Sequence, residues 1–111
     1  MPAKQPFVGI VLYESTSDSP DYVTLYREDL VLVYEESEAA ARNTMHERAK
    51  HEEGSHQNVH GETITLSFKC IVDVSPTVDA DLTGGGDLYS RHFRNYEAYR
   101  RMDALLDGDP L

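Results

Sequence analysis

A chain of 111 residues fits one domain and is long enough to bury a core without metal or disulfide staples. Its 40% hydrophobic and 27% charged content is ordinary for a globular protein and excludes a disordered one. A net charge of −10 repels nucleic-acid phosphates and anionic membrane surfaces at long range and attracts basic partners.

The single cysteine, Cys70, excludes an intrachain disulfide and any CxxC metal or redox pair. No apolar run approaches the roughly 18 residues that span a bilayer. No apolar stretch follows Lys4 as in a signal peptide, so a cytoplasmic location is expected.

Residues 7–13 form a short apolar run with β-branched members, the pattern of a strand. Residues 15–21 are small and polar with Pro20, a turn. Residues 22–34 read as a second strand, with Glu28-Asp29 as its point of interruption. Its near-continuous run from Leu30 to Tyr34 suits a strand covered on both faces. The short polar loop between the two strands predicts an antiparallel hairpin.

Ser37 ahead of Glu38 gives a capped helix start with an acidic first turn. The helix is expected to run to about Glu53 and stop at Gly54. Ala41, Met45 and Ala49 recur at four-residue spacing, a narrow apolar stripe on which the helix would lie close to a sheet. Residues 55–61 read as a polar loop.

Strict alternation follows, with Ile64, Leu66, Phe68, Cys70, Val72 and Val74 on one side and polar residues between most of them. That pattern predicts a long strand with one buried face, and Cys70 as a small core residue. Pro76 ends it, and residues 77–87 form a loop containing Gly84-Gly85-Gly86. From Leu88 to Leu106 the spacing turns helical, with Tyr89, Phe93, Tyr96, Met102 and Leu106 near one face. The architecture expected is α+β: a small antiparallel sheet in β-β-α-β-α order with helices packed on it. It forms one domain over 1–111, with 1–6 and 107–111 as frayed tails.

Three stretches carry a family likeness. They are Val31 to Ala40 across a strand-to-helix joint, Gly61-Glu62-Thr63-Ile64-Thr65 into the long strand, and Leu88-Tyr89-Ser90-Arg91-His92-Phe93. With their spacing, the chain resembles the uncharacterised small bacterial proteins described as domain of unknown function 4288. The resemblance implies the fold class and a bacterial origin; it carries no activity, substrate or catalytic residue. The chain departs from the family pattern in its longer, Tyr- and Arg-rich C-terminal helix.

Histidines crowd one region: His46, His51, His56 and His60. His46, His51 and His56 are the candidate metal ligands, by virtue of imidazole chemistry and neighbouring acids. Against them, His46 and His51 lie about 500° apart around a helix, and His51 suits a helix C-terminus for its charge alone. Glu35, Glu36 and Glu38 match a helix N-terminus, and Asp79, Asp81 and Asp87 lack EF-hand spacing. The triple glycine has neither the dinucleotide nor the P-loop motif, and Asp87 follows it. No GxSxG element or readable triad is present, so no catalytic residue and no cofactor is assigned.

The last segment remains. Arg91, Arg94, Arg100 and Arg101 interleave with Tyr89, Phe93, Tyr96 and Tyr99, against only Glu97 and Asp103. Tyr and Arg are enriched at protein interfaces. Tyr89, Arg91, Arg94, Tyr96, Tyr99 and Arg101 are therefore the expected partner-binding residues of a non-catalytic interaction protein. Its partner would be another protein, basic in charge as for an immunity or antitoxin-like role, or a second copy in a homodimer. The alternatives are a small metal-dependent enzyme using residues 46–60, or nucleic-acid binding by the Arg/Tyr helix, which the overall charge opposes. No membrane association is expected.

Overall fold

The computed structural model describes residues 3–103. Four antiparallel strands and two helices follow one another as β1 (Gln5–Ser17), β2 (Leu25–Glu35), α1 (Glu38–Glu52), β3 (Gly54–Gln57), β4 (Thr63–Pro76) and α2 (Tyr96–Met102). The order across the sheet is β2-β1-β4-β3. The expected α+β class holds, with one more strand than the sequence predicts and a much shorter last helix.

β1 is the spine of the sheet. Phe7, Val8, Ile10, Val11 and Tyr13 are all buried, as its apolar run requires of a central strand. It begins at Gln5, and Pro6 is buried with its carbonyl accepting the Thr77 amide at 3.1 Å. The expected fraying of 1–6 is thus corrected within its described part; residues 107–111 lie outside the described residues.

β2 pairs with β1 from Gln5↔Glu35 to Ser15↔Leu25 without a register shift. Glu28 and Asp29 cause no interruption, because an edge strand can hold charged side chains in solvent. The expected cover on both faces is also corrected: Val33 is buried, but Leu30, Leu32 and Tyr34 are exposed.

α1 starts as expected, with Ser37 Oγ accepting the Ala40 amide at 3.1 Å. Its buried residues are Ala41, Met45 and Ala49. They meet Phe7, Val33 and Val74 at one end of the sheet and Val11 and Tyr13 at the other. Glu53 caps the helix C-terminus.

The polar stretch after Gly54 is not all loop. Gly54–Gln57 forms β3, four exposed residues paired with Leu66 to Thr63. Ser55 and Thr65 hydroxyls lie 2.9 Å apart across that pair. Its residues carry no strand propensity, so the pairing surface offered by β4 makes the strand.

β4 keeps its length but not its alternation. Tyr13 faces Phe68 while Leu12 faces Cys70, and Val11 faces Ile71 while Ile10 faces Asp73. Lys69 and Val72 are therefore the extra residues of two bulges, each of which flips the side-chain pattern that follows. Leu66, Phe68, Ile71 and Val74 pack towards α1. Cys70, expected in the core, is exposed on the opposite face.

The final correction concerns residues 88–106. Leu88 to Asn95 are not helical, and α2 spans seven residues capped by Asn95, whose Oδ1 accepts the Ala98 amide at 3.0 Å. Tyr, Phe and His are middling helix formers, and an unpacked segment has no surface to add the missing stability. Leu105 and Leu106 lie outside the described residues.

Candidate interaction surface

The sheet has an inner face under α1 and an outer face. Cross-strand partners share a face, so Val8, Ile10 and Leu12 of β1 stand beside Leu32, Leu30 and Glu28 of β2 on the outer side. Asp73 lies there too, opposite Ile10. Val8 and Ile10 are buried without help from α1.

The segment after the 77–87 loop runs onto that outer face. Tyr89 donates its hydroxyl to Asp73 Oδ2 at 2.5 Å. Arg91 Nη2 donates to the Tyr89 hydroxyl at 3.3 Å, with its guanidinium 5.8 Å from the ring centre. The Tyr89 hydroxyl, then the charges of Asp73 and Glu28, hold the Arg91 guanidinium above its ordinary pKa. Tyr89 is half-buried. It works as a strap that ties the C-terminal segment to β4.

Beyond the strap the segment leaves the body. α2 has no buried residue. Phe93, Tyr96, Tyr99 and Met102 are exposed, and Phe93 stacks on Tyr99 with centroids 4.6 Å apart and planes at 15°. Arg100 reaches Glu97 at 3.7 Å, and Arg101 Nε donates to the Glu97 carbonyl at 3.3 Å. Arg94 is exposed and lines a shallow hollow with His92 and Phe93. The six residues expected to bind a partner thus divide. Tyr89 and Arg91 sit on the sheet, whereas Arg94, Tyr96, Tyr99 and Arg101 belong to a segment whose helix buries none of its own residues.

The histidines do not converge. His46 is edge-on to Phe68, with centroids 5.2 Å apart. His51 is exposed in the last turn of α1, and His56 is exposed on β3. Among the described residues no group of three or more His, Cys, Asp or Glu side chains is placed to hold a metal ion.

The acidic loop is built from its own carboxylates. Asp79 Oδ2 accepts the Asp87 amide at 2.6 Å, and Asp81 Oδ1 accepts both the amide and the hydroxyl of Thr83. Those two bonds, the hydroxyl first, hold the Asp81 carboxyl below its ordinary pKa. Gly85 turns the loop with φ of 88°, a conformation glycine adopts freely. The glycine run is a turn folded on Asp79, with the Gly85 amide donating to the Leu82 carbonyl at 3.2 Å.

The outer face of β2 was not among the expected sites. Tyr26 (57% exposed), Leu30 (73%), Leu32 (40%) and Tyr34 (51%) form a ladder along it. The signal was present as an apolar run, but a run alone does not tell a doubly covered strand from one with a bare face.

No helix among the described residues is long and apolar enough to cross a membrane. Comparison with curated proteins and with solved structures found no match. A family match covers residues 6–90, a span that holds α1, the Tyr89 strap and all of the sheet but Gln5. The chain belongs to the family described as domain of unknown function (DUF4288).

Proposed function

We propose that this chain is a non-catalytic protein-interaction module whose contact element is its C-terminal segment. One observation carries the reading: α2 buries none of its residues while Phe93, Tyr96, Tyr99 and Met102 stand exposed beside arginines. A seven-residue helix is marginal in water, so its natural state is against a surface. Aromatic side chains bring large contact area, and arginine brings planar donors suited to carboxylates. The family match ends at residue 90, so α2 stands beyond the shared domain.

Charge separates the two parts of the chain. Four of its ten basic residues are the arginines of this segment, while the chain as a whole carries −10. An acidic body speeds encounter with a basic partner, which suits an immunity or antitoxin-like role. The segment then contributes the contacts that slow release.

A photo-crosslinking residue at Tyr96, in the tagged full chain expressed in its own cells, tests this. A discrete crosslinked product is expected, lost on Arg94→Ala with Arg101→Ala. Absence of any such product, or one indifferent to both arginines, overturns the assignment.

A further inference from the structure

The two edges of the sheet are unlike. On one side β3 is four residues long, wholly exposed and polar (Gly54, Ser55, His56, Gln57), and the part of β4 that it leaves unpaired is broken by the two bulges. Shortness and polarity are how proteins keep an edge from pairing with another chain. β2 is long, and its charged residues, Arg27, Glu28, Asp29 and Glu35, leave the stretch between them unprotected. It is eleven residues long, contains no proline or glycine, has no bulge against β1, and carries no charge from Leu30 to Tyr34.

From this contrast we infer that β2 is a self-pairing edge, and that a second copy of this chain is its occupant. This goes beyond the role proposed for the C-terminal segment and stands or falls separately. The sequence of β2 is self-complementary about Val31. Antiparallel pairing of two copies with Val31 opposite Val31 sets Arg27 against Glu35 of the other chain, twice. It sets Leu30 against Leu32, Glu28 against Tyr34 and Asp29 against Val33, with no like charges opposed. Moving the centre to Leu32 opposes Asp29 to Glu35, and moving it to Asp29 opposes that residue to itself. Such like-charge pairs disfavour their registers.

The shape permits the pairing. Partners about Val31 share parity, so both α1 helices lie on one side of a joined eight-stranded sheet. α1 sits over β1, β2 and β4. Two copies of β1 would lie about 14 Å apart, three strand spacings, which exceeds the ~10–12 Å diameter of a helix with its side chains. On the outer face, Leu30 and Leu32 of the two copies would form a four-leucine cluster that covers the most exposed part of the ladder. A two-fold axis uses up both β2 edges, so the assembly closes at two chains.

Sedimentation equilibrium of the full chain tests the state, and thiol crosslinking tests the register. The expected mass is twice the 12.5 kDa chain. Leu30→Lys with Leu32→Lys, at exposed sites, should return the monomer with an unchanged far-UV circular dichroism spectrum. In a Cys70→Ser background, an equimolar mixture of Leu30→Cys and Leu32→Cys chains should form a mixed disulfide, because facing residues lie within bridging distance. A monomer at ~100 μM for the unmodified chain (against Kd values in the micromolar range for weak interfaces) overturns the inference. So does a dimer that survives both lysines, or a mixture that fails to crosslink. Arg94→Ala with Arg101→Ala should leave this dimer intact; if those changes dissolve it, the contact belongs to the C-terminal segment and not to the β2 edge.

Discussion

Gly9 lies directly beneath Met45: a Cβ at Gly9 would run into Met45 Sδ, with Met45 Cε at 2.8 Å. The pair explains how α1 seats itself on the sheet. A glycine in a central strand is normally a weakness. Here it makes the hollow that receives the largest side chain of the helix stripe, between Ala41 and Ala49. Met45 is 1% exposed as a result.

Gly9→Ala should therefore destabilise the fold by about 1–3 kcal/mol, the usual cost of overpacking a core. Urea unfolding followed by circular dichroism measures it. Combining it with Met45→Leu, which moves branching and removes the sulfur, should give a non-additive cycle because the two side chains touch. Strict additivity would show that Met45 moves aside freely.

Cys70 is exposed on the outer face, and it should react with a thiol reagent in the native state at close to the rate of a free peptide thiol. A core cysteine would react only through unfolding, with a rate that tracks stability in low urea. The measurement is labelling by 5,5′-dithiobis(2-nitrobenzoate) with and without sub-denaturing urea, and an unchanged rate is expected. A slow, urea-accelerated reaction would place Cys70 inside.

The same residue marks what the sequence could and could not convey. The hairpin, the Ser37 cap and the Ala41/Met45/Ala49 stripe were legible because each is a local pattern with a local cause. The two bulges were not, since the apolar positions in the sequence of β4 keep recurring at every second residue across Lys69 and Val72 while the pairing with β1 shifts there. A trace of them existed in Ile71, an apolar residue on the supposedly polar side. β3 had no signal of its own, because Gly54, Ser55, His56 and Gln57 become a strand only through β4. In the C-terminal segment, aromatic spacing imitated a long helix, whereas Tyr89 is held by Asp73 and the helix begins only at the Asn95 cap. Of the candidate surface, the arginines and tyrosines were readable; the bare face of β2 required the strand order.

Tyr89→Phe should free the strap while leaving the sheet intact. The hydroxyl's bond to the Asp73 carboxylate is of the charge-assisted kind, with a net contribution of about 1–3 kcal/mol that half-exposure reduces. Its loss should appear locally: faster hydrogen exchange in residues 84–95, with β1 and β4 amides unchanged. Uniform acceleration across the sheet would mean that Tyr89 supports the whole core and not only the segment it ties down.

Glu53 links the helix end to the bulged strand, and its ionisation gives stability a sign in acid. One oxygen meets Lys50 Nζ at 2.9 Å and the other accepts the Phe68 amide at 3.0 Å, one residue before the bulged Lys69. The Lys50 hydrogen bond first, then the Phe68 amide, hold its carboxyl below the ordinary value of 4.5. A carboxyl lowered on folding stabilises the protein above its unfolded pKa, and that contribution disappears as pH falls through the lower folded value. Glu53→Gln should thus be less stable than the parent at pH 7, by a modest amount because the site is open to solvent. The gap should stay constant down to the ordinary carboxylate range and close below it. Urea midpoints of both proteins from pH 7 to about pH 3, a range set by the reference carboxylate values, give the comparison. A gap that persists undiminished in acid would mean that Glu53 acts through the shape of its contacts and not through its charge.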